Sequence, residues 1–67
     1  MENGTVVQVF TERGFGFIRD SSGRDCFFHA RHCVTVFEIL SIGDAVLFNF
    51  GTDRAGRACA IAVRARP

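Results

Sequence analysis

Two short runs of this chain carry side chains whose chemistry goes beyond packing. One is Arg13-Gly14-Phe15-Gly16-Phe17-Ile18-Arg19 and the other is Asp25-Cys26-Phe27-Phe28-His29. Alternate residues of a strand share a face. Arg13, Phe15, Phe17 and Arg19 therefore line one side, with successive side chains about 6.6 Å apart at about 3.3 Å rise per residue. Gly14, Gly16 and Ile18 line the other. With Ile18 inside, two phenylalanines stand outside between two arginines. A row of that kind suits a flat, charged ligand. A base stacked on an aromatic ring is worth about 1–3 kcal/mol, and a guanidinium pairs with phosphate or lies flat on a base. The second run repeats the pattern: Phe27 and His29 share one face, and Cys26, Phe28 and Ala30 share the other. His29 can stack, and it can hydrogen-bond to a base or phosphate. Phe15, Phe17 and Phe27 are expected to be exposed and Phe28 buried. No nucleophile or carboxylate is spaced around His29 in a way that suggests catalysis.

Strands must position these residues. Thr5–Phe10 is rich in β-branched residues and reads as a first strand. Residues 14–19 and 25–29 form the next two, joined by the turn cluster Asp20-Ser21-Ser22-Gly23-Arg24. Residues 30–43 carry mixed signals and read as a long loop with one helical turn. Asp44–Phe50 is a fourth strand, Gly51–Gly56 a glycine-bounded turn, and Arg57–Arg64 a fifth strand. Five short strands suggest a small barrel or sandwich, and closure into a barrel removes exposed edges. The expected core is Val6, Ile18, Phe28, Val46, Phe48, Ile61 and Val63. Glu2, Glu12, Asp20 and Glu38 read as solvated, and His32 and Cys33 as loop residues without a partner.

Sixty-seven residues make one domain, residues 1–67. A chain of this length buries only about 60% of its unfolded surface. No apolar run approaches the ~20 residues of a membrane helix, and Met1-Glu2-Asn3-Gly4 does not resemble a signal peptide. Cys26, Cys33 and Cys59 are odd in number and include no Cys-x-x-Cys pair, so they read as reduced thiols of a cytoplasmic protein, with neither zinc nor another cofactor. The net charge is +1, and all eight basic residues are arginine. There are eight phenylalanines and no tryptophan or tyrosine, more rings than so small a core needs.

The two runs resemble the ribonucleoprotein motifs of the cold-shock domain family, in order and at family spacing. Gly4-Thr5-Val6-Val7 and Gly43-Asp44-Ala45-Val46-Leu47-Phe48 fit the same pattern, so the resemblance spans essentially the whole chain. It implies an all-β, five-stranded antiparallel OB-fold barrel that binds single-stranded RNA or DNA with little sequence demand, as an RNA chaperone or a cold-shock-type regulator. Carried over by the resemblance, the stacking residues are Phe15, Phe17, Phe27 and His29, with Phe37 as the loop aromatic. Arg13 falls beside the phosphates and Asp25 at the rim. Gln8 stands where the family has tryptophan, Val7 where it has lysine, and Ala30 where it often has a second aromatic. Phe10, two residues from Gln8, is a candidate replacement ring. Arg19, Arg54 and Arg57 are expected to line the site, with Arg31 as a further candidate. These departures imply weaker binding than in a typical member.

Two other readings compete. The aromatic face could dock a protein, acting as an interaction module, and the chain could be one part of a longer protein. Exchange of strands between two barrels, hinged at residues 30–43, would give a dimer instead of a monomer.

Overall fold

The computed structural model describes all 67 residues, Met1–Pro67. Five strands follow one another: β1 Glu2–Phe10, β2 Phe15–Asp20, β3 Asp25–His29, β4 Ala45–Thr52 and β5 Ala58–Ala65. The β3–β4 segment holds two single 3-10 turns, Ala30–His32 and Phe37–Ile39, where one helical turn was expected. The strands close into a barrel in the order β1-β2-β3-β5-β4, with β4 returning to β1. A ring with an odd number of strands cannot be antiparallel at every seam. The one parallel seam is β3–β5, through Phe27↔Cys59 and Phe28↔Ala60, prolonged by the bridge Cys33↔Val63. The barrel is therefore mixed, not purely antiparallel.

Val6, Ile18, Phe28, Val46, Phe48, Ala60 and Val63 are fully buried, and Phe37 and Leu40 nearly so. Of the expected core, only Ile61 lies elsewhere. Between the pairs Leu47↔Arg64 and Asn49↔Ile61, β4 spends one residue and β5 spends two, Ala62 and Val63. Such a bulge reverses the alternation of faces. Val63 turns inward while Ile61, half-buried, covers Gly51, where a Cβ would lie 2.9 Å from the Ile61 Cδ1. A second bulge falls at Val7, between Val6↔Ile18 and Gln8↔Phe17. Val6 faces the core, and Gln8 and Phe10 face out beside β2.

Gly16 has a steric reason to be glycine. A Cβ there would collide with the carbonyl of Gln8 and sit 2.9 Å from the Phe28 ring. β2 thus rests directly on the core. Residues 37 and 40 stand three apart, which superposes side chains on a 3-10 turn. Phe37 and Leu40 both turn inward, leaving Val36 and Ile39 exposed. Cys33 also has partners: it packs against the core, and its thiol donates to the His29 carbonyl oxygen at 3.6 Å.

The β2–β3 and β4–β5 turns share one construction. In the first, the Asp20 carboxylate accepts from the backbone N–H groups of Ser22 (2.9 Å) and Arg24 (3.0 Å) and from the Ser22 hydroxyl (2.7 Å). In the second, the Asp53 carboxylate accepts from the backbone of Ala55 and Arg57, both at 2.9 Å. Each turn carries a glycine at positive φ, Gly23 at 89° and Gly56 at 81°, which glycine adopts without steric cost. Asp20 is thus a turn organiser, not a merely solvated acid.

Candidate nucleic-acid interface

The β2–β3 register places Phe15 opposite His29, Phe17 opposite Phe27, and Arg19 opposite Asp25. Across the other seam Phe10 stands opposite Phe15, and Gln8 opposite Phe17. One outer face of three neighbouring strands therefore gathers four rings and a histidine. Phe15 is the hub, with ring centroids 5.0 Å from Phe10, 6.3 Å from Phe17 and 5.5 Å from Phe27. Phe17 and Phe27 meet edge to face at 6.0 Å. Phe15, Phe17 and Phe27 are half-buried, not fully exposed as expected, because each ring shields its neighbours. Phe10, 41% exposed, forms the open edge.

Polar groups flank the rings. Arg13 is exposed at the β1–β2 turn. At the other end Arg19 Nε donates to Asp25 Oδ1 at 2.9 Å, and Arg19 Nη2 to Oδ2 at 3.4 Å. That contact raises the Arg19 pKa, chiefly through the hydrogen bond, so this arginine is less available to a ligand than its place in the row implied. Beyond Phe27 and His29 a groove of about 460 Å³ runs between the first 3-10 turn and the β4–β5 turn. Arg31, His32, Arg54 and Arg57 line it. Asp53 is the one acid on its wall. Its carboxylate binds the Arg57 backbone and also accepts from Arg57 Nε at 3.0 Å; these bonds hold its pKa below the ordinary carboxylate value.

Phe37 is not part of this surface. It lies in the core with its ring centroid 5.8 Å from that of Phe28. Gln8, Phe10, Phe15, Phe17, Phe27 and His29 come together, with Arg13 and Asp25 at the margins and Arg54 and Arg57 across the groove. His32 was read as partnerless and belongs to the groove. No local pattern could have found it, because only the β3–β5 seam brings the two turns side by side.

The thiols contribute little reactivity. Burial pushes the Cys33 thiol up to about 11, with help from Glu38. Burial likewise raises Cys26, aided by Asp20, and Cys59, aided by Asp53.

The family model of the 'Cold-shock' DNA-binding domain matches residues 2–66. The chain belongs to that family. None of the curated proteins compared with it matches. As a cold-shock domain it is a member of a nucleic-acid-binding family with a five-stranded barrel. In this cold-shock domain both motif-bearing strands are adjacent and in register, and Phe10 has moved into ring contact beside the glutamine that stands where the family's tryptophan was expected.

Proposed function

We propose that the domain binds single-stranded RNA or DNA with little sequence preference and keeps strands unpaired, as an RNA chaperone or cold-shock-type regulator in the cytoplasm. The observation that carries this reading is the cluster of Phe10, Phe15, Phe17 and Phe27 on one outer face, beside His29 and arginines. Each ring offers a surface to a base, and every base has a face to stack, so little sequence information is demanded. Gln8, opposite Phe17, and Asp25, at the margin, offer hydrogen-bonding groups beside the rings. Arg13, Arg54 and Arg57 supply positive charge for the backbone. Binding and release complete the activity; no bond in the ligand is made or broken.

The test is a titration of a dye-labelled oligo-dT, with the label on the DNA because the protein has no tryptophan. Stacking needs a free base face, which a duplex hides. Tight binding to the single strand and weak binding to its duplex is the expected result. Equal affinity for both removes this interface from consideration. Absence of binding at low salt favours the reading in which the aromatic face docks a protein.

A further inference from the structure

We propose that the aliphatic surface of the β3–β4 segment, made by Val34, Val36, Ile39 and Ile42, is a self-association site that seats the same surface of a second copy of this chain. Four of the seven exposed large apolar side chains of the protein fall here, at 63%, 62%, 65% and 65% exposure. Phe37 and Leu40 take the inner side of the second 3-10 turn, so Val36 and Ile39, also three apart, superpose on its outer side. None of the four lines the groove beside Phe27 or touches the aromatic row. Together they expose on the order of 400 Å² of apolar surface, the size at which a patch marks an interaction site. That is about a tenth of the 4329 Å² total, the share a small protein commits to an interface.

The patch is held in shape. The Val34 and Thr35 N–H groups donate to the Val63 carbonyl oxygen at 2.7 and 3.3 Å. The Thr35 hydroxyl accepts from the Ala65 N–H at 2.8 Å, and the Asp44 carboxylate from the Ser41 N–H at 2.9 Å. A surface already ordered loses little entropy on association. Charge argues for a second copy as the occupant. Glu38 lies between Val36 and Ile39 and is exposed. Arg64, one step beyond the bridge Cys33↔Val63, runs beside Val34 and is exposed as well. Neither belongs to the ion pairs of the chain, Arg19–Asp25 and Arg57–Asp53. In a two-fold contact residue i meets residue j twice, so Glu38 can face the partner's Arg64 and Arg64 the partner's Glu38. The net charge of +1 leaves little repulsion between copies. A carboxylate amid the aliphatic side chains disfavours an anionic membrane. With about 400 Å² per copy, the contact stays below the standard interface of about 800 Å² per partner, so the dimer is weak.

The test is sedimentation equilibrium of the whole chain up to about 1 mM, with a dissociation constant expected on the order of 100 µM. No oligonucleotide is present, so the outcome is independent of the single-strand reading. Ile39→Ser with Ile42→Ser should weaken association about tenfold or more, which corresponds to a loss of at least about 1.4 kcal/mol, at an unchanged melting temperature. Glu38→Arg alone should weaken it, and adding Arg64→Glu should restore it. Backbone amide signals of residues 34–42 should move with concentration in fast exchange. A protein monomeric at about 1 mM, or a serine variant that associates equally well, overturns the proposal. So does a dimer that persists on dilution, which is the mark of strand exchange. Failure of the charge reversal to restore association removes the symmetric pairing, and with it the second copy as occupant. Binding of monomers to phosphatidylglycerol vesicles, lost in the serine variant and without self-association, gives the surface to a membrane instead.

Discussion

Phe15 and Phe28 are two rings with opposite duties, and the consequences of removing each can be separated. Phe28 is fully buried and touches Phe37, so Phe28→Ala is expected to cost about 3–5 kcal/mol of folding, which is severe for a domain of this size. Phe15 lies on the outer face but contacts three other rings. Aromatic pairs are worth about 0.5–1.5 kcal/mol each. Phe15→Ala should therefore cost about 1.5–4.5 kcal/mol of stability on that scale, more than an isolated exposed ring would, together with one base stack of about 1–3 kcal/mol. Thermal melts paired with oligo-dT titrations measure both. If Phe15→Ala left binding intact, the aromatic cluster would not be the stacking surface. Phe37→Ala is expected to lower the melting temperature and leave affinity nearly unchanged in the folded fraction. A large loss of affinity at unchanged stability would return Phe37 to the interface. Its misplacement from sequence has a simple cause. The resemblance carried a loop aromatic onto Phe37, but the three-residue period of the 3-10 turn, shared with Leu40, turns this ring into the core.

At the level of elements, alternation was a reliable guide wherever a strand is regular. The inner and outer faces of β2 and β3 were legible from spacing alone, because Ile18 and Phe28 fix which side is the core. Alternation failed where a bulge adds a residue. At Ala62 it sent Ile61 to the wrong face, whereas at Val7 the bulge separates the inward Val6 from the outward Gln8, as their expected roles require. Neither bulge carries the glycine that would announce it. Ala62 adopts φ 52°, a left-handed conformation that costs a non-glycine residue roughly 1–2 kcal/mol. The bulge survives because Val63 and Ile61 are both well placed by it. Ala62→Gly relieves the strain but adds freedom to the unfolded chain, worth roughly 0.5–1 kcal/mol against it. The expected balance is a small gain, up to about 1.5 kcal/mol from those two scales, read as a rise in denaturant midpoint at unchanged slope. A loss of more than about 1 kcal/mol would mean that the alanine methyl supports packing that outweighs its backbone strain. The groove, too, was only half legible. Arg54 and Arg57 belong to an evident turn, whereas their meeting with His32 depends on the parallel seam between distant segments.

For the whole molecule, two sets of groups with shifted pKa values bound the pH range in which the closed barrel is most stable. Asp20 and Asp53 hold the turns that join β2 to β3 and β4 to β5, and both carboxyls are lowered from the ordinary 3.8. The leading cause for Asp20 is the Ser22 hydroxyl, and for Asp53 the Arg57 backbone N–H. A lowered acid binds fewer protons folded than unfolded, so its contribution is complete above its ordinary value and is lost as pH falls through the folded one. The thiols act in the opposite sense. Cys33 is raised from 9.0 to about 11, and Cys26 and Cys59 are raised as well. Between those two values the unfolded chain has lost the Cys33 proton while the barrel keeps it. Stability is complete below pH 9.0 and falls as pH rises toward about 11. Urea melts across this range are expected to give a plateau with a shoulder falling away at each end. Asp20→Asn with Asp53→Asn preserves an accepting oxygen in each turn while removing the titration, and it should flatten the acid shoulder alone. Cys33→Ala should lower the plateau somewhat, since it removes packing against the core, but should make the alkaline shoulder shallower. If the acid shoulder persisted in the double asparagine variant, the turns would not be its origin.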